Sequence, residues 1–392
     1  MATCPDYRVR LFLSVDLVGS TAFKGNSEPD ADVLYPEWVE SFRQFYNAFP
    51  ARVDAIYNES KLAAADGEKF LNGGPKVWKT IGDEILFCAR VNSIRHLACC
   101  ITSFLGALDA YGKLLENSGV PLDVKGSGWL ATFPAHNISI SVQSNTESAG
   151  SSVSHDATEE FEQQVDASPL LFDFLGKDID AGFRIAKNAS TDRFTSSLEL
   201  SFLLAQASLQ DMFSGRFTYH GKETFKGVIR NQPYPVISID TERDFAKRNL
   251  RYRERLLTKE VDAPPQALQD FLSAFMNYEG IEIPVLPVET GSHPPPKPAS
   301  YERFKSAWSL SFKETEERDE SIEASEAVAN QSGLARLDDV ITDFAKQVRS
   351  ESFKSSLNHV RDNFQQYSEA IAEFNKHFGA SGSAKKNEND QK

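Results

Sequence analysis

The chain has 392 residues, with 42 basic against 56 acidic side chains and a formal charge of −14. That length suggests roughly two or three domains. Hydrophobic residues at 41% and charged ones at 25% exclude wholesale disorder. The acid excess excludes a nucleic-acid coat or an anionic membrane surface as a general partner, but it permits a local basic pocket for a phosphorylated small molecule. No apolar run is read as long enough to span a bilayer. The opening Met1-Ala2-Thr3-Cys4-Pro5 lacks a signal-peptide core, so a cytoplasmic protein is expected. Cys4, Cys88, Cys99 and Cys100 have no metal-ligand spacing and read as reduced thiols.

Arg8 to Val18 is a near-continuous β-branched and apolar run ending at Gly19-Ser20-Thr21, and it predicts a central strand. From Pro36 to about Ser60, Trp38, Phe42, Phe45, Phe49, Val53 and Ile56 recur at helical spacing. Val77–Ile81 and Glu84–Ala89 flank Gly82-Asp83, a hairpin signal. Asn92 is the expected cap of a helix carrying Ile94, Leu97, Ile101, Phe104, Leu105 and Leu108 and ending near Gly119. Strand, long helix, hairpin and long helix predict a ferredoxin-like α+β sheet with helices on one face. Ser144 to Ser168 is polar, acidic and Ser-rich, and reads as a mobile insertion. A strand over Leu170–Leu175, helices over Asp178–Ala189 and Ser196–Leu209, and strands near Phe217–Gly227 and Tyr234–Ile239 follow.

After Arg243 the text changes, which sets the expected domains at 1–243 and 244–378. Pro284, Pro287 and Pro294-Pro295-Pro296-Lys297-Pro298 read as a stiff connector. Leu334, Leu337, Ile341, Phe344 and Val348 step at three and four. Phe353, Leu357, Val360, Phe364, Tyr367, Ile371, Phe374 and Phe378 do so again. These two amphipathic runs predict a C-terminal mainly helical module, either a helical hairpin or an interrupted coiled coil. Its role stays open between sensing, dimerisation and simple packing. Residues 379–392 are small and charged and read as a disordered tail.

Two segments carry chemistry together: Leu11 to Thr21 and Lys79-Thr80-Ile81-Gly82-Asp83-Glu84. Each sets a carboxylate, Asp16 or Asp83, at a strand end, and adjacent antiparallel strands would bring both to one edge. Two hard oxygen ligands, with water and phosphate filling the other positions, suit Mg²⁺ in phosphoryl transfer. The amides of Gly19, Ser20 and Thr21 open toward a helix start that would cradle a triphosphate. Taken singly, Asp16 also fits a cap and Asp83 a turn residue.

A third segment, Asp173-Phe174-Leu175-Gly176-Lys177-Asp178-Ile179-Asp180-Ala181-Gly182-Phe183-Arg184, completes a pattern. The sequence resembles the class III nucleotidyl cyclases at Asp16, Lys79, Asp83, Asp173 and Arg184, over about residues 7–240. In that family the first metal Asp follows a strand, the second sits in a Lys-x-x-Gly-Asp hairpin, and a base-selecting Asp precedes an Asn and an Arg. This chain departs at Asp180, which stands at the ribose-orienting Asn position. Asp180 cannot donate the amide hydrogen bond, and an i,i+4 ion pair orienting Arg184 is its other reading. The resemblance implies two Mg²⁺ or Mn²⁺ ions on Asp16 and Asp83, with Arg184 stabilising charge on the α-phosphate. Lys226, in Thr224-Phe225-Lys226-Gly227, fits either a triphosphate contact or a solvated strand end. The resemblance also implies a homodimer with composite sites, the metals coming from one protomer and Arg184, Lys79 and Asp173 from the other.

Lys79 and Asp173 form a donor–acceptor pair that suits adenine or uracil and disfavours guanine. The runs Asp123 to Pro134 and Asp173 to Ile185 resemble the Pycsar pyrimidine cyclases of bacterial antiphage defence, nearest the uridylate cyclases. That resemblance implies UTP as substrate, cyclic UMP as product, and a cyclic-nucleotide-gated effector reached through the product without direct contact. Tyr46 and Phe49 are read either as bulk beside a small base or as core aromatics. The alternatives are a cytidylate or adenylate cyclase, or a catalytically silent nucleotide-binding regulator.

Overall fold

Alternation along Arg8–Val18 decides the architecture. Val9, Leu11, Leu13, Val15 and Leu17 are buried on one face of this strand, β1, while Arg8, Arg10, Phe12, Ser14 and Asp16 take the other. A strand buried on both faces belongs at a sheet centre. The computed structural model describes residues 3–26, 34–60, 73–142, 157–258, 262–289 and 295–311. In it β1 pairs antiparallel with β3 (Glu84–Val91) and β4 (Asp123–Phe133). The other strands are β2 (Lys76–Ile81), β5 (Asn137–Ser141), β6 (Phe172–Gly176), β7 (Arg193–Ser196), β8 (Phe217–Thr224) and β9 (Pro233–Asp240). The main sheet has seven strands in the order β2-β3-β1-β4-β7-β9-β8, with β4 and β7 parallel, and β5-β6 form a separate ribbon. The fold is α+β.

The helices include α1 (Ser20–Asn26), α2 (Glu37–Glu59), α3 (Ile94–Ser118), α4 (Glu159–Ala167), α5 (Lys177–Ile185), α6 (Leu198–Ser208), α7 (Phe245–Thr258) and α8 (Pro265–Glu279). On one face, Phe45 and Phe49 of α2 and Phe104 and Leu108 of α3 share a core with the apolar side of β1. Close approach requires glycine in β4: a Cβ on Gly126 would stand 2.7 Å from Leu108 Cδ1, and one on Gly128 would stand 2.8 Å from Phe194. The cap of α3 is Ser93, whose hydroxyl accepts from His96 N at 3.0 Å, rather than the expected Asn92. Gly119, at φ 71°, ends this helix in the left-handed region. Contrary to the sequence expectation, α3 has the length and hydropathy of a membrane span, yet Leu97, Ile101, Phe104 and Leu108 are buried core residues.

The second face is not bare, as helices on one face alone would leave it. Phe12, Trp78, Trp129, Phe133, Phe172, Phe174 and Ile179 form a second core there. Phe12 stacks on Trp129 at 5.7 Å and meets Phe174 edge-on at 5.0 Å. Beside them Arg10, fully buried, donates to Asp166 at 2.9 Å, Ser139 at 2.9 Å and Glu162 at 2.6 Å. Arg8 Nε reaches Asp166 at 3.0 Å. These acids lie on α4, inside the stretch expected to be a mobile insertion. Residues 159–167 are instead a helix capped by Thr158, and its acids, polar on paper, are the counter-charges of buried arginines. Residues 143–156 lie outside the described part.

The compact unit runs to Leu310, not to the expected boundary after Arg243. Leu268, Leu272 and Met276 of α8 join the first core. The proline-bearing segment straps onto the unit: Ile94 N donates to Pro287 O at 2.9 Å, and Val285 N donates to the Tyr7 hydroxyl at 3.2 Å. The helical runs expected at 334–378 and the tail at 379–392 lie outside the described residues.

Candidate active site

The polar face of β1 ends at Asp16. Register sets Glu84 directly across from it on β3 and Lys125 directly across on β4, so three charged side chains share one rung of the sheet. Lys125 Nζ lies 3.1 Å from Asp16 Oδ2. Asp83 arrives from the β2–β3 turn, which Gly82 makes possible at φ 63°. The turn is tied to β1 by Leu17 N donating to Asp83 O at 3.2 Å. The Ser20 hydroxyl donates to Asp83 Oδ2, and the Ser14 hydroxyl to Glu84 Oε1.

Ser14, Asp16, Asp83, Glu84, Lys125 and Lys187 line one cleft of about 250 Å³. Partial burial pushes the Asp16 carboxyl above its ordinary range; Lys125 opposes that shift and the Asp83 charge adds to it. Glu84 is likewise raised by burial, against the hydrogen bond from Ser14, with Asp16 and Asp83 adding repulsion. Crowded carboxylate oxygens of this kind are the donor set that Mg²⁺ or Mn²⁺ takes. Among the described residues no three Asp, Glu, His or Cys side chains converge on a single point, so any ion here would complete its shell with water or phosphate. The residues present fit the expected group on those terms.

The other expected residues fall on neighbouring elements. Lys79 on β2 and Asp173 on β6 meet at 2.8 Å, although 94 positions apart, and each side chain is one-third exposed. Trp78 orients the lysine, whose ammonium lies 4.0 Å from the ring centroid. Phe174 N donates to Asp173 Oδ1 at 2.9 Å and fixes the acceptor. Arg184, on α5, lies against the turn after β8: a Cβ on Gly227 would stand 3.4 Å from its Nη1. That brings Arg184 beside Lys226, which is exposed. Gly227 (φ 78°), Ile229 (37°), Arg230 (58°) and Asn231 (62°) hold this turn in left-handed backbone, with Gly227 N donating to Asn231 Oδ1 at 2.6 Å. Asp180 is exposed on α5, and no ion pair joins it to Arg184.

Some expected roles meet a different geometry. Gly19, at φ 89°, has no room for a Cβ, which would stand 2.8 Å from Pro121 O. The helix it opens has only 7 residues, Thr21 is exposed, and the Ser20 hydroxyl is engaged by Asp83. Tyr46 donates its hydroxyl to Gly82 O and so braces the hairpin that carries Asp83, while Phe49 is wholly buried in the core. Sequence reading missed Lys125, Glu84 and Lys187. A strict period-two reading of β4 would have found Lys125, because Val124 and Gly126 on either side face the opposite core.

A scan against protein-family models gives no match, and neither does a search of curated proteins. Among solved structures the chain is similar to the adenylyl cyclase CyaB from P. aeruginosa, at 12% identity and a TM-score of 0.39, over 60% of this chain and 94% of that one. It is similar to the guanylyl cyclase Cya2 at 14% identity and a TM-score of 0.30, over 60% and 94%. A third likeness is to the guanylate cyclase domain of RhGC from Catenaria anguillulae, at 10% identity and a TM-score of 0.32, over 60% and 97%.

Proposed function

We propose that this chain is a metal-dependent nucleotide cyclase that converts UTP to 3′,5′-cyclic UMP and diphosphate. The observation that carries the reading is the Lys79–Asp173 contact at 2.8 Å on the same molecule as the Asp16–Asp83 carboxylate cleft. A donor and an acceptor held side by side suit the O4 and N3–H edge of uracil, which would enter between them. The same pair suits N1 and the amine of adenine, which makes adenylate cyclisation the second reading.

Asp16 and Asp83 would hold two Mg²⁺ or Mn²⁺ ions, which when bound supply Lewis-acid activation of the ribose 3′-hydroxyl and charge neutralisation on the phosphates. Arg184 would stabilise the negative charge that develops as the 3′-oxygen attacks the α-phosphate and diphosphate leaves. Lys226 beside it, and Lys125 in the cleft, would bind the departing phosphates. Asp180, at the position the family pattern gives to the ribose, would only accept a hydrogen bond there. In this reading the site is composite: Lys79, Asp173, Arg184 and Lys226 come from one protomer, and Asp16 and Asp83 from its partner in a homodimer. The product would act as a second messenger on a cyclic-nucleotide-gated effector in antiphage defence, with no direct contact between the proteins.

The test is incubation of the protein with each of the four nucleoside triphosphates and Mn²⁺, with products identified by mass. Cyclic UMP as the main product supports the reading. Cyclic AMP as the main product selects the second reading, and absence of any cyclic product leaves a nucleotide-binding regulator.

A further inference from the structure

The cleft holds one more carboxylate than the sequence pattern requires. Glu84 stands directly across from Asp16 in the β1–β3 register and lines the same cleft as Asp83. Directly opposed like charges destabilise a sheet. Elsewhere this face of β3 is filled by Leu86 and Cys88, which are buried in the aromatic core. Glu84 nonetheless points into the cleft and is held there: Ser14, two residues before Asp16 on the same face, donates to its Oε1. Lys125 pairs with Asp16 at 3.1 Å, while its charge acts on Glu84 without an ion pair between them. The second oxygen of Glu84 accepts no hydrogen bond from any described residue.

Resting on the reading of Asp16 and Asp83 as cation ligands, we propose that Glu84 is a third carboxylate of the divalent-cation centre. It would act as a positioning residue, accepting a hydrogen bond from the hydration water of an ion and adding charge to the site. Direct ligation is not required, in keeping with the lack of three converging ligands among the described residues. Small hard cations keep several waters, and carboxylates that hold those waters set affinity together with the direct ligands. Ser14 completes the device by holding Oε1, which would leave the other oxygen for the hydration water of an ion.

The experiment measures Mn²⁺ binding to the full chain by titration calorimetry, without nucleotide. It compares wild type with Glu84→Gln, Glu84→Asp, Asp16→Asn and Asp83→Asn. The proposal expects Glu84→Gln to weaken binding about tenfold, as loss of a partner behind a ligand does. Glu84→Asp, which keeps the charge, should stay within about threefold of wild type. If Asp16→Asn and Asp83→Asn lose binding while Glu84→Gln matches wild type, Glu84 plays no part and the cation reading survives. Equal weakening in Glu84→Gln and Glu84→Asp would assign the residue a packing role and overturn the proposal. A wild-type protein that binds no Mn²⁺ overturns both.

Discussion

The two ends of the polar face of β1 handle charge in opposite ways. At the start of the strand, Arg8 and Arg10, joined by Arg90, meet Glu159, Glu162 and Asp166, and cations and anions balance in a closed network. At the other end, Asp16, Asp83 and Glu84 crowd one cleft, and the cation in contact is Lys125. A balanced buried network fixes structure, because each charge finds its partner on folding. An unbalanced one keeps its repulsion, and in the proposed function a divalent cation would relieve it. The aromatic core around Phe12 lies between the two ends. Electrostatic balance therefore divides scaffold from site along a single strand.

The largest effect should come from emptying the unbalanced end. Asp16→Ala or Asp83→Ala should lower cyclisation by at least about 10³-fold while the thermal midpoint holds or rises, since each removes repulsion from the folded state. Initial rates with Mn²⁺ and a thermal melt check both halves. Turnover like wild type in either variant would break the contrast.

The balanced end should answer in stability. Asp166 accepts from Arg8 at 3.0 Å, Arg10 at 2.9 Å and Arg90 at 3.2 Å, so Asp166→Asn leaves buried guanidinium groups short of charge. Breaking a buried pair in this way costs about 3–5 kcal/mol. Denaturant melts should report that loss, and a stability equal to wild type would show the network to be ornamental.

How much of this was legible beforehand follows the same division. The alternation of β1, the hairpin around Asp83 and the spacing from Asp173 to Arg184 were readable, because each is a local pattern. The helix Glu159–Ala167 was not: an acidic stretch reads as solvated until the arginines it neutralises, some 150 positions away, are placed beside it. Lys125 and Glu84 escaped for the related reason that a rung of a sheet is set by pairing between strands. Ser93 won over Asn92 as the cap by one position, an ordinary shift at a helix end.

Selectivity sharpens the comparison further. Lys79→Glu sets an acceptor opposite uracil O4 and an amine-friendly group opposite cytosine, so the ratio of UTP to CTP rates should fall about tenfold. An unchanged ratio in an active variant would mean that Lys79 does not read the base.

A smaller effect concerns a third treatment of excess acid, keeping the proton. Glu199 faces Asp178 across a cleft of about 350 Å³. Burial and then the Asp178 charge push its carboxyl from 4.5 to about 7. A carboxyl raised in the folded state contributes stability below its unfolded value, and that contribution is lost as pH rises through about 7. Wild type should therefore melt at a higher temperature at pH 6 than at pH 8, by an amount that Glu199→Gln reduces. Parallel pH profiles for the two proteins would refute it.

The central claim is that the acidic cleft of one protomer works with the Arg184 half-site of another, and subunit mixing tests it most directly. Asp83→Ala and Arg184→Ala proteins, each inactive alone, are combined under conditions where labelled subunits exchange, and cyclic nucleotide formation is measured. Heterodimers regain one site with both halves intact, so activity should return to about a quarter of the wild-type level, as random pairing gives half the dimers one working site of two. Demonstrated exchange without any return of activity would contradict the composite site.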